Sequence, residues 1–263
     1  QQVIEFVFLA VKQVIVGRDV IRITHYQGHG AILGEGGEYR GLIFQACLDT
    51  GMQFGKFIEK NYENWFESNP ANKNDKTEKP ILSHTLFREL VVPEITKKER
   101  PILFVVIDNM RYDQWKSIES TVANSYKLEK EIPYYAILPT ATQYARNAIF
   151  SGLLPIEMEK QFPQYWKNDV DEGGKNLFEE EFLRAQLKKI GKGDLRVSYT
   201  KITNNYDGQK MVDNIHNLMQ NDLNVIVYNF IDMLSHSRTE MEVLKELAGD
   251  EKAYRSLRSE ERR

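Results

Sequence analysis

From residue 101 onward, short uninterrupted apolar runs alternate with segments whose apolar residues recur three and four apart. Ile102-Leu103-Phe104-Val105-Val106-Ile107 has no polar break, the pattern of a strand covered on both faces. Tyr134 to Leu138, Leu195 to Thr200 and Val225 to Ile231 predict three further strands. Helices are predicted from Tyr112, from Gln143 to Phe150 and from Asp207 to Met219. Strands that alternate with helices predict an α/β fold: a mostly parallel sheet with helices on both faces.

Upstream the pattern differs. Thr50 to Ser68 is amphipathic, with Met52, Phe54, Phe57, Ile58, Tyr62 and Trp65 on one stripe and Lys56, Glu59, Lys60 and Glu63 on the other. Asn69 to Lys79 is polar and holds a proline, the signature of a surface linker. Gln1 to about Asp49, with a glycine-rich patch from Gly28 to Gly37, follows neither period, and no element is predicted there. The expected organisation is therefore 1–51 without assignment, 52–100 a helical connector and linker, 101–257 the core, and 258–263 a charged tail that should fray.

Composition narrows the class. A chain of 263 residues, 41% hydrophobic and 28% charged, is globular rather than disordered. Its formal charge of −3 provides no global field for nucleic acid or an anionic membrane, so a phosphate-bearing substrate would be held locally. Cys47 is the single cysteine, which excludes an internal disulfide and a cysteine-rich zinc site. No apolar run is long enough to span a bilayer, and no basic segment followed by an apolar one opens the chain. A cytoplasmic protein is expected.

Three motifs fall at predicted strand ends. Asp108 follows the Ile102–Ile107 run, where open α/β sheets bind their ligands. A carboxylate there suits a cation, and it equally suits the N-cap of the next helix. The second motif is Leu138-Pro139-Thr140-Ala141-Thr142, leading into Ser151-Gly152-Leu153-Leu154-Pro155. A threonine at a strand-to-helix turn lies where backbone donors favour an anion, the place for a hydroxyl that attacks phosphorus; the alternative is again a cap with an ordinary helix stop. The third is Asp232-Met233-Leu234-Ser235-His236, an oxygen and an imidazole four residues apart that could converge on zinc or simply face solvent.

In this order the motifs resemble the alkaline-phosphatase superfamily. Pro139-Thr140-Ala141-Thr142 through Ser151-Gly152-Leu153-Leu154-Pro155 is similar to its nucleophile segment. Asp108-Asn109-Met110-Arg111 is similar to its aspartate ligand with the following arginine, and Asp232 with His236 to its ligand pair. Within that group, Asp108-Asn109-Met110-Arg111-Tyr112-Asp113-Gln114-Trp115-Lys116 and Thr142-Gln143-Tyr144-Ala145-Arg146-Asn147 resemble the PglZ domain, as found in an effector of type IX secretion signalling. The segment from Phe54 to Tyr62 resembles the helix that connects such an effector to its receiver.

The resemblance implies a phosphodiesterase or phosphohydrolase-type effector of a response regulator, with two zinc ions. Thr142 would be the nucleophile, with Thr140 as fallback. Asp108 and Thr142 would share one metal, and Asp232 and His236 would serve the other. Asn109, Arg111 and Arg146 would be secondary candidates to meet phosphate in a phosphodiester or nucleotide-type substrate, the alternative for the two arginines being structural ion pairs on helices. It also leaves room for signalling protein partners, for a non-catalytic effector that acts by binding them, and for a dimer in the full-length protein. The family's later Asp-His-Gly and final histidine have no counterpart: the histidines are His25, His29, His84, His216 and His236, and none follows an aspartate. The implied chain stops after the first half of the site, and alone it should bind zinc poorly and hydrolyse no phosphodiester.

Overall fold

The computed structural model describes residues 5–10, 37–66, 79–97, 101–110, 112–168, 174–229 and 231–233; for 5–10, 37–48 and 113 it describes the backbone only. The chain divides into two compact units, 1–13 with 81–263, and 14–80.

The second unit contains one long helix, α1 (Gly37–Phe66). It contains the predicted amphipathic stretch and starts thirteen residues earlier than the pattern indicated. Along it Tyr62 packs edge-on against Phe66 at 4.9 Å, and Phe57 meets Trp65 at 6.0 Å, so the apolar stripe is an aromatic ladder. The predicted linker from Asn69 lies almost wholly outside the described residues.

The first unit is built on a parallel sheet of β1 (Glu5–Ala10), β2 (Ile102–Ile107), β3 (Val197–Ile202) and β4 (Leu223–Tyr228), in the order β1-β2-β4-β3. In register, Ala10 pairs with Ile107, Ile107 with Tyr228, and Ile202 with Tyr228, so the four strands end level. β2 and β4 are buried almost throughout, which is why both read as apolar runs; β3, at the edge, is half-buried. β1 falls in the stretch for which no element was predicted.

Helices cover both faces. Phe104 of β2 packs edge-on against Phe87 at 5.7 Å and Phe150 at 6.3 Å, and Phe150 meets Tyr199 of β3 at 5.9 Å. That face carries α2 (Ser83–Leu86), a π-helical turn (Phe87–Val91), α3 (Val92–Lys97), α5 (Thr142–Ser151) and α7 (Glu179–Lys189). The opposite face carries α4 (Tyr112–Ala123), whose Trp115 and Ile118 pack with Ile107, Met110 and Ile231. Beside it, α8 (Asn205–Asp213) and the 3-10 turn Ile215–Gln220 bring Met211 and Leu218 onto Leu103, Ile202 and Ile226. The α/β sandwich predicted from the alternation is thus the fold, and alternate residues of β2 serve opposite cores.

Some predicted elements differ. Tyr134 to Leu138 forms no strand: only Tyr135 makes an isolated parallel bridge, to Leu82. The backbone N–H of Ile137 donates to the Ser83 hydroxyl at 3.2 Å instead of to a ladder, and Pro139, after a cis peptide, has no N–H to offer. The third strand runs Val197–Ile202 rather than 195–200, because Leu195 is held in a turn by Lys192 at 3.3 Å. The fourth spans Leu223–Tyr228 rather than 225–231: Leu223 already pairs with Ile102 and Val197, and the side chain of the polar Asn224 donates to the carbonyl of Leu218 at 2.9 Å. α5 stops as expected at Gly152, in the left-handed region at φ 64°, and α6 (Pro155–Gln161) opens on the proline.

Candidate active site at the carboxyl edge of the sheet

Asp108 is the first residue past β2, and its backbone N–H donates to the Tyr228 carbonyl at 3.0 Å, which extends the ladder by one bond. Asn109 then takes φ 58°, a left-handed conformation that asparagine tolerates better than most residues. The turn reverses the chain before α4, so Asp108 is not the cap of that helix. Its carboxylate is 7% exposed.

Thr142 is the first residue of α5, and the capping position belongs to Ala141, which offers no side-chain bond. The cap reading of Thr142 is therefore not realised. Its hydroxyl forms no hydrogen bond among the described residues, while its carbonyl accepts from the Asn176 side chain at 3.3 Å. One helical turn further, Arg146 reaches the aspartate: Nη1 donates to Asp108 Oδ2 at 2.6 Å and to Asn229 Oδ1 at 2.9 Å. Asn229 follows β4, so β2, β4 and α5 meet at this guanidinium. Asp232 lies three residues beyond Asn229 in a short helical turn, half-buried.

Arg146 was expected to meet phosphate. It is 4% exposed, and Nε donates to Glu179 Oε1, with Nη2 at 3.4 Å from Glu179 Oε2. Its guanidinium is thus engaged by two carboxylates and an amide inside the protein, the arrangement of a structural ion pair. Asn109 is half-exposed, beside Asp108. Arg111 and His236 lie outside the described residues, and Thr140 sits half-exposed two residues before α5.

Three residues here carried no sequence signal. Glu179, 1% exposed at the start of α7, receives the Tyr199 hydroxyl at 2.8 Å and Lys201 Nζ at 3.0 Å, both on Oε2. Tyr199 and Lys201 are two apart on β3 and face the same side. Lys201 also donates to the Asn176 carbonyl at 2.9 Å. Glu179 heads a Glu-Glu-Glu triplet that reads as the favourable first turn of a helix; only the packing of α7 against β3 singles it out.

Electrostatics follow from the burial. Burial pushes the Asp108 carboxyl up from its ordinary 3.8; Arg146 pulls it back, Asp232 and Glu179 push it further up, and Lys201 opposes them. Asp108 and Asp232 thus feel each other's charge at one sheet edge. For Arg146, burial works against the charge, but Glu179 and Asp108 outweigh it and raise its pKa. The Tyr134 hydroxyl is fully buried with no partner among the described residues, and its pKa is raised by burial and by Asp108.

The donors fit a divalent cation in kind. Asp108 Oδ1 has no partner among the described residues, Asp232 is a second carboxylate, and Thr142 is a hydroxyl. Among the described residues no group of three or more His, Cys, Asp or Glu comes together in a metal-holding arrangement. No helix among them is long and apolar enough to cross a membrane.

A parallel α/β sheet that releases acidic residues from adjacent strand ends, beside a helix that opens on threonine, is the frame of an alkaline-phosphatase-like protein. The chain belongs to the PglZ family: the family described as "BREX system PglZ alkaline phosphatase-like domain" matches residues 86–259. This is a phosphoesterase-type fold. The comparison with curated proteins gave no match.

Proposed function

We propose that this domain is a zinc-dependent phosphodiesterase or phosphohydrolase that serves as the effector of a signalling response regulator similar to PorX of type IX secretion. The observation that supports it best is the convergence at one sheet edge. Asp108 and Asp232 follow adjacent parallel strands and are electrostatically coupled, and α5 brings an unbonded threonine hydroxyl one turn from the arginine that holds Asp108.

In this reading Thr142 Oγ1 attacks phosphorus, the bond to the leaving alcohol breaks, and water later opens the phosphothreonine. The start of α5 supplies backbone donors and a favourable dipole to the phosphoryl oxygens. Asp108 and Thr142 would hold one zinc ion, and Asp232 with His236 would contribute to the other. Zinc, when bound, lowers the pKa of the attacking hydroxyl and stabilises charge on the leaving oxygen. The substrate class is a phosphodiester or nucleotide-type ester, in a cytoplasmic setting.

The full-length native protein should purify with zinc and turn over a chromogenic phosphodiester, and a chelator should abolish turnover. Zinc-free protein without turnover, even after zinc is added back, would overturn this reading in favour of an effector that acts by binding protein partners.

A further inference from the structure

We infer that Glu179, acting through Arg146, is a positioning residue that aims the free oxygen of Asp108 at the ligand. Asp108 is held by one oxygen only. Oδ2 accepts from Arg146 Nη1 at 2.6 Å, while Oδ1 has no partner among the described residues. A carboxylate pinned at one oxygen presents the other in a fixed direction, which is how residues behind a metal ligand orient it.

The pin works only if the guanidinium is itself fixed. Its remaining nitrogens face Glu179, and Asn229 Oδ1 takes a second bond from Nη1 at 2.9 Å. Glu179 is fixed in turn by Tyr199 and Lys201, from the same face of β3. Both its oxygens are occupied, Oε1 by Arg146 and Oε2 by Arg146, Tyr199 and Lys201. Both oxygens of Glu179 are thus engaged by protein donors, and at 1% exposure it is the most buried acid among the described residues. Asp108 has an open oxygen, and Glu179 has none. The same arginine thus separates an acid that can bind from an acid that supports it.

The metal consequence rests on the function proposed above, so the test has two arms. In the first, Asp108→Asn, Glu179→Gln and the double variant are unfolded in denaturant without added metal. Either acid alone still compensates Arg146. Removing both strands a buried cation, so the double variant should lose more stability than the two single losses added together. Losses that simply add, as for residues with no shared partner, overturn the inference.

In the second arm, zinc is titrated into the native full-length protein and Glu179→Gln, and cobalt is substituted to read the ligand field. Glu179→Gln should weaken zinc binding by about 10- to 100-fold and change the cobalt spectrum. Unchanged affinity and an unchanged spectrum overturn the inference. If the native protein binds neither metal, the proposed function fails, and the stability cycle alone decides the role of Glu179. Should Glu179→Gln not fold, Tyr199→Phe, which removes a single hold on Oε2, replaces it in the second arm with a smaller shift of the same sign.

Discussion

The two ends of the sheet handle charge in opposite ways. At the amino end Arg196, just before β3, pairs with Asp222, just before β4: Nη2 to Oδ1 at 3.2 Å, and the backbone N–H to Oδ2 at 2.8 Å. Both side chains stand in water, Arg196 at 68% exposure, where an ion pair adds little. At the carboxyl end Arg146, Asp108 and Glu179 are all below a tenth exposed. Removing charges from water carries a large penalty there, offset by the pairing of opposite charges. A sheet needs ion pairs of neither kind for its fold. The amino end fastens two chain segments; the carboxyl end maintains an energetically unfavourable concentration of acids, the kind of perturbed cluster that suits a cation.

That contrast is most sharply tested by chemistry. Thr142→Val removes the hydroxyl at the carboxyl edge and preserves its shape; in the full-length protein turnover of a phosphodiester should fall by roughly 10⁴-fold or more, as for other deleted nucleophiles. Thr140→Val should leave turnover near normal, and the reverse result would move the nucleophile to Thr140.

Stability tests the same contrast at the level of packing. Arg146→Met leaves Asp108 and Glu179 buried without their cation and should cost about 3–5 kcal/mol in chemical denaturation. Arg196→Met, at the other end, should cause no measurable change. Equal losses would mean that the carboxyl edge opens to water more than its burial indicates.

The smallest effect expected lies away from both ends. His84 in α2 has its pKa lowered from 6.5, first by burial and then by Arg88, with Glu157 opposing. A depressed pKa means that the folded protein favours neutral imidazole, so the unfolded chain takes up the proton first. This contribution is present above 6.5 and is lost as pH falls through the lower folded value. His84→Gln should flatten the fall in stability just below pH 6.5, read as the melting temperature against pH.

The elements most legible in the sequence were those whose environment is the same on all sides. β2 and β4 lie between two layers of helices, so β2 is apolar at every position and β4 at all but Asn224, and the run declares itself. Asp108 was legible for the same reason, as the first charge after such a run. Tyr134 to Leu138 misled because Tyr134 and Ile137 are buried without forming a ladder, and the Ser83 hydroxyl takes a backbone donor that a strand would have used. Arg146 was legible as a phosphate contact or a structural ion pair, but its partners were not, since nothing local marks a helical arginine as buried between two acids. Glu179 was hidden by its neighbours: of three consecutive glutamates only tertiary packing decides which one turns inward. β1 comes from a stretch with no period at all and gains its place by pairing with β2.

The level ending of the strands sets how this domain can change. Because Ala10, Ile107, Tyr228 and Ile202 share one row of the register, every loop that leaves this edge starts from a common height. A loop can lengthen, shorten or exchange its residues without disturbing the others, for each is anchored separately to the same ledge. A single residue inserted within β2 is another matter. It would raise Asp108 by about 3.3 Å and turn Phe104 to the opposite core. Variation among such proteins should therefore accumulate beyond the ledge, in loop length and chemistry, while the six-residue span of β2 stays constant in length.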